Sequence, residues 1–312
     1  MVRLRLLGAI VRKLIFLFRP RCCPHAVRME ALAAEEIRRV VQLALAEDVG
    51  GGDITTLATV APDATAKAVM IAREPLVVAG LPVAEAVFLE LSPAIRISRT
   101  AKEGHPVTAG QSLLHISGPA QAMLTGERVA LNFVQRLSGV ATLTRQYVDA
   151  AKGTRAQILD SRKTTPGLRR LEKYAVTCGG GQNHRAGLFD RVLIKDNHLA
   201  ALQHAPPNPV AAAVKRAREK YPQHKIEVEA DTLEQVEQAL AAGADIILLD
   251  NMNLVQLCVA VQQAKGRAKT EASGGVNLAS VRQIAETGVD WISVGALTHS
   301  ARAADIALDF EL

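Results

Sequence analysis

After residue 155 short apolar runs recur with helix-like stretches between them: "AQILD", "RVLIKDN", "KIEVEA", "ADIILLDN", "TEASGG" and "DWISVGA". Strand and helix patterns in alternation predict parallel βα units, because parallel neighbours must be joined by a crossover. The last four runs end near Glu229, Asp250, Ser273 and Gly295, at steps of 21, 23 and 22 residues. That compact interval leads to the expectation of an α/β barrel, closed or incomplete. A doubly wound sheet is the weaker alternative, since no G-x-G-x-x-G follows the first strand of the series.

The chain before this series reads differently. "ALAAEEIRRVVQLALA" carries apolar residues at helical spacing and is stopped by "EDVGGGDITT". "AKAVMIARE", "LVVAG", "IRISRTAKEG" and "QSLLHISG" are strand-like, with "PVAEAVFLEL" as a helix among them, so a small α+β domain is expected. A helical stretch from about Gln121 to Lys152 is expected to break near Ser138 and Gly139. The terminal "HSARAADIALDFEL" is expected to be a helix capped by Ser300 that packs back on the first domain. The expected organisation is a basic extension over 1–29, an N-terminal domain over 30–139, a barrel over 140–299 and the terminal helix over 300–312.

Composition narrows the function classes. At 312 residues, 49% hydrophobic and 22% charged, the chain is an ordinary globular one. The net charge of +6 invites a nucleic-acid reading, but seven of the 37 cations precede Glu30, leaving 30 basic against 31 acidic residues. Aromatic residues, the stacking platforms of single-strand binders, are 3%. Arg12 and Lys13 divide the apolar leader into pieces too short to span a bilayer, and it has neither the unbroken core of a secretory signal nor the serines of a transit peptide. It is read as a dispensable extension, or as sequence upstream of a start at Met29. Four cysteines form no disulfide framework, and "CCPH" lacks zinc spacing, so a reducing, cytoplasmic setting is expected, without membrane or nucleic-acid partners.

In parallel barrels the chemistry collects at the carboxyl ends of the strands. Here those ends deliver Arg162 and Lys163, then Lys195, then Glu229, then Asp250. "ASGG" contributes Ser273, Gly274 and Gly275, and "SVGALTHS" contributes Gly295, which places glycine amides where an anionic phosphate could approach. The turn "QNHR" adds His184 and Arg185. So many cations around one cavity require a polyanionic substrate, because a buried cation without an anion is costly. Glu229 and Asp250 suit Mg2+ held through water, or stabilisation of a developing positive charge; ion pairing with Lys163 or Lys195 is the structural alternative. Glycines 179–181 serve either as a helix stop or as a close-approach loop. A phosphosugar isomerase would share the terminal phosphate loops but leaves five cations unexplained.

"SRKTTPGLRRLEKYAV", "GGGQNHRAGLFDRVLIKDNH", "IEVEADTLEQVEQALAAGADIILLDN", "ASGGV" and "VGALTHS" resemble the quinolinate phosphoribosyltransferase family, as do "EDVGGGDITT" and "GERVALNFVQRLSGVAT". The resemblance runs from about residue 31 to the end. It implies an N-terminal open-faced α/β sandwich followed by an incomplete (β/α) barrel, and transfer of phosphoribosyl from phosphoribosyl pyrophosphate to quinolinate with decarboxylation. It further implies Mg2+ as cofactor and at least a homodimer, with Arg128 completing the neighbour's site. By resemblance Arg128, Arg162, His184 and Arg185 take quinolinate, and Lys163 and Lys195 serve quinolinate and phosphate groups. Glu229 and Asp250 meet the ribose hydroxyls and the metal–pyrophosphate, and Ser273, Gly274, Gly275 and Gly295 cradle the 5-phosphate. The nearest rival is a pyrophosphorylase of the same architecture acting on another acid.

Overall fold

The computed structural model describes residues 31–311; the extension assigned to 1–29 lies outside them. Helix α1 (Ala34–Val49) buries Val40, Val41 and Leu45, and the "GGGD" stretch that follows ends in Asp53, whose carboxylate accepts from the Thr56 amide to start α2 (Ile54–Thr59). Strand β1 (Thr65–Ala72) turns Ala68, Met70 and Ala72 inward at period two. It lies in an antiparallel sheet with β5 (Ser112–Pro119), which also pairs with β3 (Arg96–Arg99). A small ribbon joins β2 (Leu76–Val77) to β4 (Pro106–Val107), and α3 (Leu81–Leu91), apolar nearly all round, packs against α1 and α4 (Ala120–Ala151).

Helix α4 runs unbroken through Ser138 and Gly139, contrary to the expected break. The glycine is there for approach: a Cβ on it would lie 1.9 Å from the Arg302 carbonyl oxygen. Around that contact the Gln135 amide donates to the Ile306 carbonyl at 2.7 Å and Arg136 donates to the Ala301 carbonyl at 2.7 Å. The helix thus clasps the returning C-terminal segment.

That segment is not the expected helix. Residues Ile306–Glu311 form strand β12, antiparallel to β1 with Ala72 opposite Ile306 and Lys67 opposite Glu311. Ile306 and Leu308 are buried with Phe310 partly covered, a period-two pattern that satisfies the free edge of β1 and completes the order β12-β1-β5-β3.

The second half is the open barrel. Strands β6 (Gln157–Leu159), β7 (Val192–Ile194), β8 (Ile226–Ala230), β9 (Ile246–Asp250), β10 (Lys269–Ser273) and β11 (Trp291–Ser293) form a parallel sheet in the order β6-β11-β10-β9-β8-β7. Gln182 adds a single parallel bridge beside Leu159, and β6 and β7 do not pair, so the barrel stays open on that side. Helices α5 (Arg169–Cys178), α6 (Asp196–Ala200), α7 (Pro209–Lys220), α8 (Leu233–Ala241), α9 (Leu254–Ala264) and α10 (Val281–Glu286) connect the strands, and the one-turn α11 (Ala296–His299) follows β11. Thr232 with Gln235 and Asn253 with Gln256 close capping boxes that start α8 and α9 immediately after the strand-end carboxylates.

Candidate active site

A cavity of about 630 Å³ opens at the carboxyl ends of the barrel strands. Arg162, Lys163, His184, Arg185, Lys195, Glu229, Asp250, Ser273, Gly274, Gly275 and Gly295 all line it. Of the residues expected from sequence, Arg128 alone is elsewhere: it is exposed on α4 and does not line this cavity.

Strand register explains the convergence. Glu229 pairs across to Leu248 and Leu248 to Glu271, so these three share one rung; Asp250 and Ser273 share the next. Alternation sends these side chains inward, while Val228, Leu249 and Ala272 go to the helix layer. Lys195 Nζ lies 3.4 Å from Glu229. Burial raises the Glu229 carboxyl above its ordinary range; Lys195 opposes this and the nearby Asp250 charge adds to it. After β10 the chain turns through Gly274 at φ +91°, where a Cβ would meet Asn251 Oδ1 at 2.1 Å. His299, which sequence reasoning passed over, also lines the cavity, facing Gly295.

The cationic wall is held from beneath. Lys173 of α5, buried, donates to Asp160 Oδ1 at 2.6 Å and to the His184 carbonyl at 2.9 Å, and the His184 amide donates to the same Asp160 oxygen at 2.7 Å. Burial pushes the Asp160 carboxyl up to about 6 against the pull of Lys173, and lowers the Lys173 ammonium. Both partners are therefore driven toward neutrality, the desolvation penalty exceeding their attraction. The pair fixes the turn that presents His184 and Arg185. Glycines 179–181, short of the cavity, pack against Ala141 and Thr144 of α4 and Val176 of α5, so they serve as the close-packed stop of α5. Cys178 is a buried thiol beside Tyr174 and Glu103, pushed well above its ordinary range by burial.

The cations face inward with unmet bonding capacity. Arg162 Nε is buried and has no hydrogen-bond partner among the described residues. Burial and the neighbouring Arg162 charge lower Arg185. Two guanidinium groups crowded in this way call for an anion with two separated charges.

Under the His184 ring is a second cluster missed in the sequence. The Arg185 amide donates to His184 Nδ1 at 2.8 Å, which leaves the ring proton on Nε2; that nitrogen is 3.2 Å from Glu227 and 3.4 Å from Glu271. Arg191 sits 3.1 Å from Glu227, and Ser293 hydrogen-bonds Glu271. The signal was visible as acids at period two in "IEVEA", but not its meaning, since Glu227 and Glu271 meet only across β9. Candidate ligand atoms of His184, Glu227 and Glu271 come within 4.8 Å of one another, yet Arg191 already occupies Glu227. Glu229 and Asp250, hard oxygen donors facing the open cavity, fit Mg2+ better.

Family models described as the N-terminal and C-terminal domains of quinolinate phosphoribosyl transferase match residues 53–138 and 140–309. A nicotinate-nucleotide pyrophosphorylase (carboxylating) of Mycobacterium leprae is 46% identical over 278 residues, covering 87% of this chain and 96% of that protein. The chloroplastic counterpart of Arabidopsis thaliana is 42% identical, covering 88% of this chain and 83% of that protein. Among solved structures, the nicotinate-nucleotide pyrophosphorylase of Francisella tularensis superposes with a TM-score of 0.85 at 38% identity, over 91% of this chain and 99% of that one.

Proposed function

The chain belongs to the quinolinate phosphoribosyltransferase family, the carboxylating nicotinate-nucleotide pyrophosphorylases of NAD biosynthesis, and from that membership we propose how its cavity divides the work. The enzyme transfers phosphoribosyl from phosphoribosyl pyrophosphate to quinolinate with decarboxylation, giving nicotinate mononucleotide, pyrophosphate and CO2. One observation carries the division: Arg162, Lys163, His184, Arg185 and Lys195 line the same cavity as Glu229 and Asp250.

Arg162 and Arg185 grip the two carboxylates of quinolinate, with His184 and Lys195 beside them, since planar guanidinium groups fix a dicarboxylate in one orientation. Ser273, Gly274, Gly275 and Gly295 hold the 5-phosphate through backbone amides, and Lys163 meets the pyrophosphate end. The ring nitrogen attacks C1 of the ribose as the bond to pyrophosphate breaks. Glu229 and Asp250, beside the ribose, stabilise the oxocarbenium-like charge that develops at C1. The same two carboxylates would hold Mg2+ through water or pyrophosphate oxygens, and the ion when bound neutralises charge on the leaving group. Ribosylation makes the ring nitrogen a pyridinium, the electron sink that lets the adjacent carboxylate leave as CO2. No side chain acts as a covalent nucleophile.

A homodimer or larger homo-oligomer completes the site, the exposed Arg128 reaching the neighbour's quinolinate pocket. The setting is cytoplasmic, a reading supported by the free thiols of Cys178 and Cys258. No helix among the described residues is long and apolar enough to cross a membrane.

The test supplies the purified protein with phosphoribosyl pyrophosphate, Mg2+ and either quinolinate or nicotinate, following nucleotide and CO2. Equal yields of nicotinate mononucleotide and CO2 from quinolinate, little product from nicotinate, and loss of turnover in folded Arg162→Ala and Lys195→Ala variants are expected. Near-normal activity in either variant would overturn the site assignment, and chelation without effect would overturn the role of Mg2+.

A further inference from the structure

Decarboxylation leaves an electron pair on ring carbon 2, and that carbon must gain a proton before nicotinate mononucleotide can leave. The reaction therefore consumes a proton inside a cavity in which none of the roles above supplies one. We propose that the Glu271 carboxyl, at the floor of the cavity beside His184, is the acid that delivers it. The inference rests on the seating of quinolinate against Arg162, His184 and Arg185 proposed above.

Three observations converge on this residue. Glu271 lines the cavity on the same rung as Glu229, directly below Ser273 of the phosphate loop, yet its own side chain is fully buried. One of its oxygens meets Ser293 and faces His184 Nε2 at 3.4 Å; the other, Oε2, is buried without a partner among the described residues. Glu227 stands next to it, and Arg191 bonds Glu227 at 3.1 Å. Two adjacent buried carboxylates cannot both ionise, and the cation decides which one keeps the proton. His184 Nε2 at 3.2 Å and Arg191 at 3.1 Å both face Glu227, so Glu227 is the carboxyl of the two that stays ionised. Burial, reinforced by the Glu227 charge, holds Glu271 well above its ordinary range. The groups facing Glu271 are thus Glu227 from β8, Ser293 from β11, and His184 and Arg191 from the segments before β7. The result is a carboxylic acid at the floor of the cavity, beside the His184 ring.

The step balances. The bond between ring carbon 2 and its carboxylate breaks, CO2 departs, and the electron pair stays on the carbon beside the pyridinium nitrogen. The Glu271 O–H bond breaks as the C–H bond forms. The carboxylate left behind is stabilised by Ser293, His184 and Arg191, and solvent returns the proton when products leave.

Glu271→Gln keeps the shape and removes the acid. With enzyme in excess over quinolinate, rapid-quench single turnovers measure pyrophosphate and CO2 separately. The expected result is pyrophosphate release within about 3-fold of wild type and CO2 release slowed about 100-fold or more, with quinolinate affinity nearly unchanged. Glu271→Asp, an acid again, should recover part of the CO2 rate. Equal slowing of both products, or CO2 release within about 3-fold of wild type, would overturn the proposal. Should the variants fail to fold, wild type still decides. Its single-turnover CO2 release should slow about 2-fold or more in D2O while pyrophosphate release holds, and equal slowing of the two products would overturn the proposal. Failure of the seating itself would appear differently, as unchanged quinolinate binding in Arg162→Ala or a wild type that makes no CO2 from quinolinate.

Discussion

Replacing Lys173 with Met isolates the ion pair that holds the quinolinate-facing turn. The substitution roughly preserves volume and removes two bonds, at 2.6 Å to Asp160 and 2.9 Å to the His184 carbonyl. Asp160 is fully buried, so its carboxylate would be left beside no cation at a cost of about 3–5 kcal/mol, a large part of the stability of a typical domain. Protonation relieves some of that cost, which gives the effect a pH signature. In the wild type the Asp160 carboxyl sits at about 6, above its ordinary range, so the folded protein holds this proton only below that pH. Without Lys173 the pKa rises further, and the folded variant keeps a proton that the unfolded chain has released. Stability of the variant then keeps falling with pH where the wild type has levelled, by about 1.4 kcal/mol per pH unit. The gap between the two proteins should be steady below about pH 6 and widen above it. Trp291, the single tryptophan and part of β11, reports barrel unfolding in urea. A gap under about 1 kcal/mol at both about pH 5.5 and about pH 8, or one that shrinks as pH rises, would refute the reasoning.

Gly139→Ala would drive a methyl into the Arg302 carbonyl, and a loss of about 1–3 kcal/mol with earlier proteolysis near residues 300–305 is expected; unchanged thermal stability would contradict the packing described. Gly274→Ala combines a positive φ with collision against Asn251, so kcat/KM for phosphoribosyl pyrophosphate should drop about 10-fold or more with quinolinate affinity intact, as steady-state kinetics and calorimetry would show. Mixing inactive Arg128→Ala with inactive Arg162→Ala should restore activity if each site draws on two subunits, because a mixed dimer keeps one site with both arginines. Absence of complementation in subunits shown to exchange would place Arg128 outside the site.

Much of the architecture was legible because short-range periodicity carries it. Apolar runs with helical pieces between them specify βα units whatever their partners, and the polar residue closing each strand is bound for the mouth of a barrel. That is why Arg162, Lys163, Lys195, Glu229, Asp250 and Ser273 could be named before any contact was seen, and all of them line one cavity. The resemblance supplied the substrate, which strand ends alone describe only as a polyanion.

Tertiary structure decided what depends on residues distant in the chain. Ile306, Leu308 and Phe310 alternate as a strand would, but only the free edge of β1 makes that pattern preferable to a helix. Gly139 reads as a break in isolation and proves to be a point of contact, because the Arg302 carbonyl that needs the space is 163 residues away. The Asp160–Lys173 pair and the Glu227–Glu271 couple were unreadable for the same reason. A charged residue in a sequence is by default a surface residue, and only packing reveals the few whose partners, rather than water, set their protonation and their role.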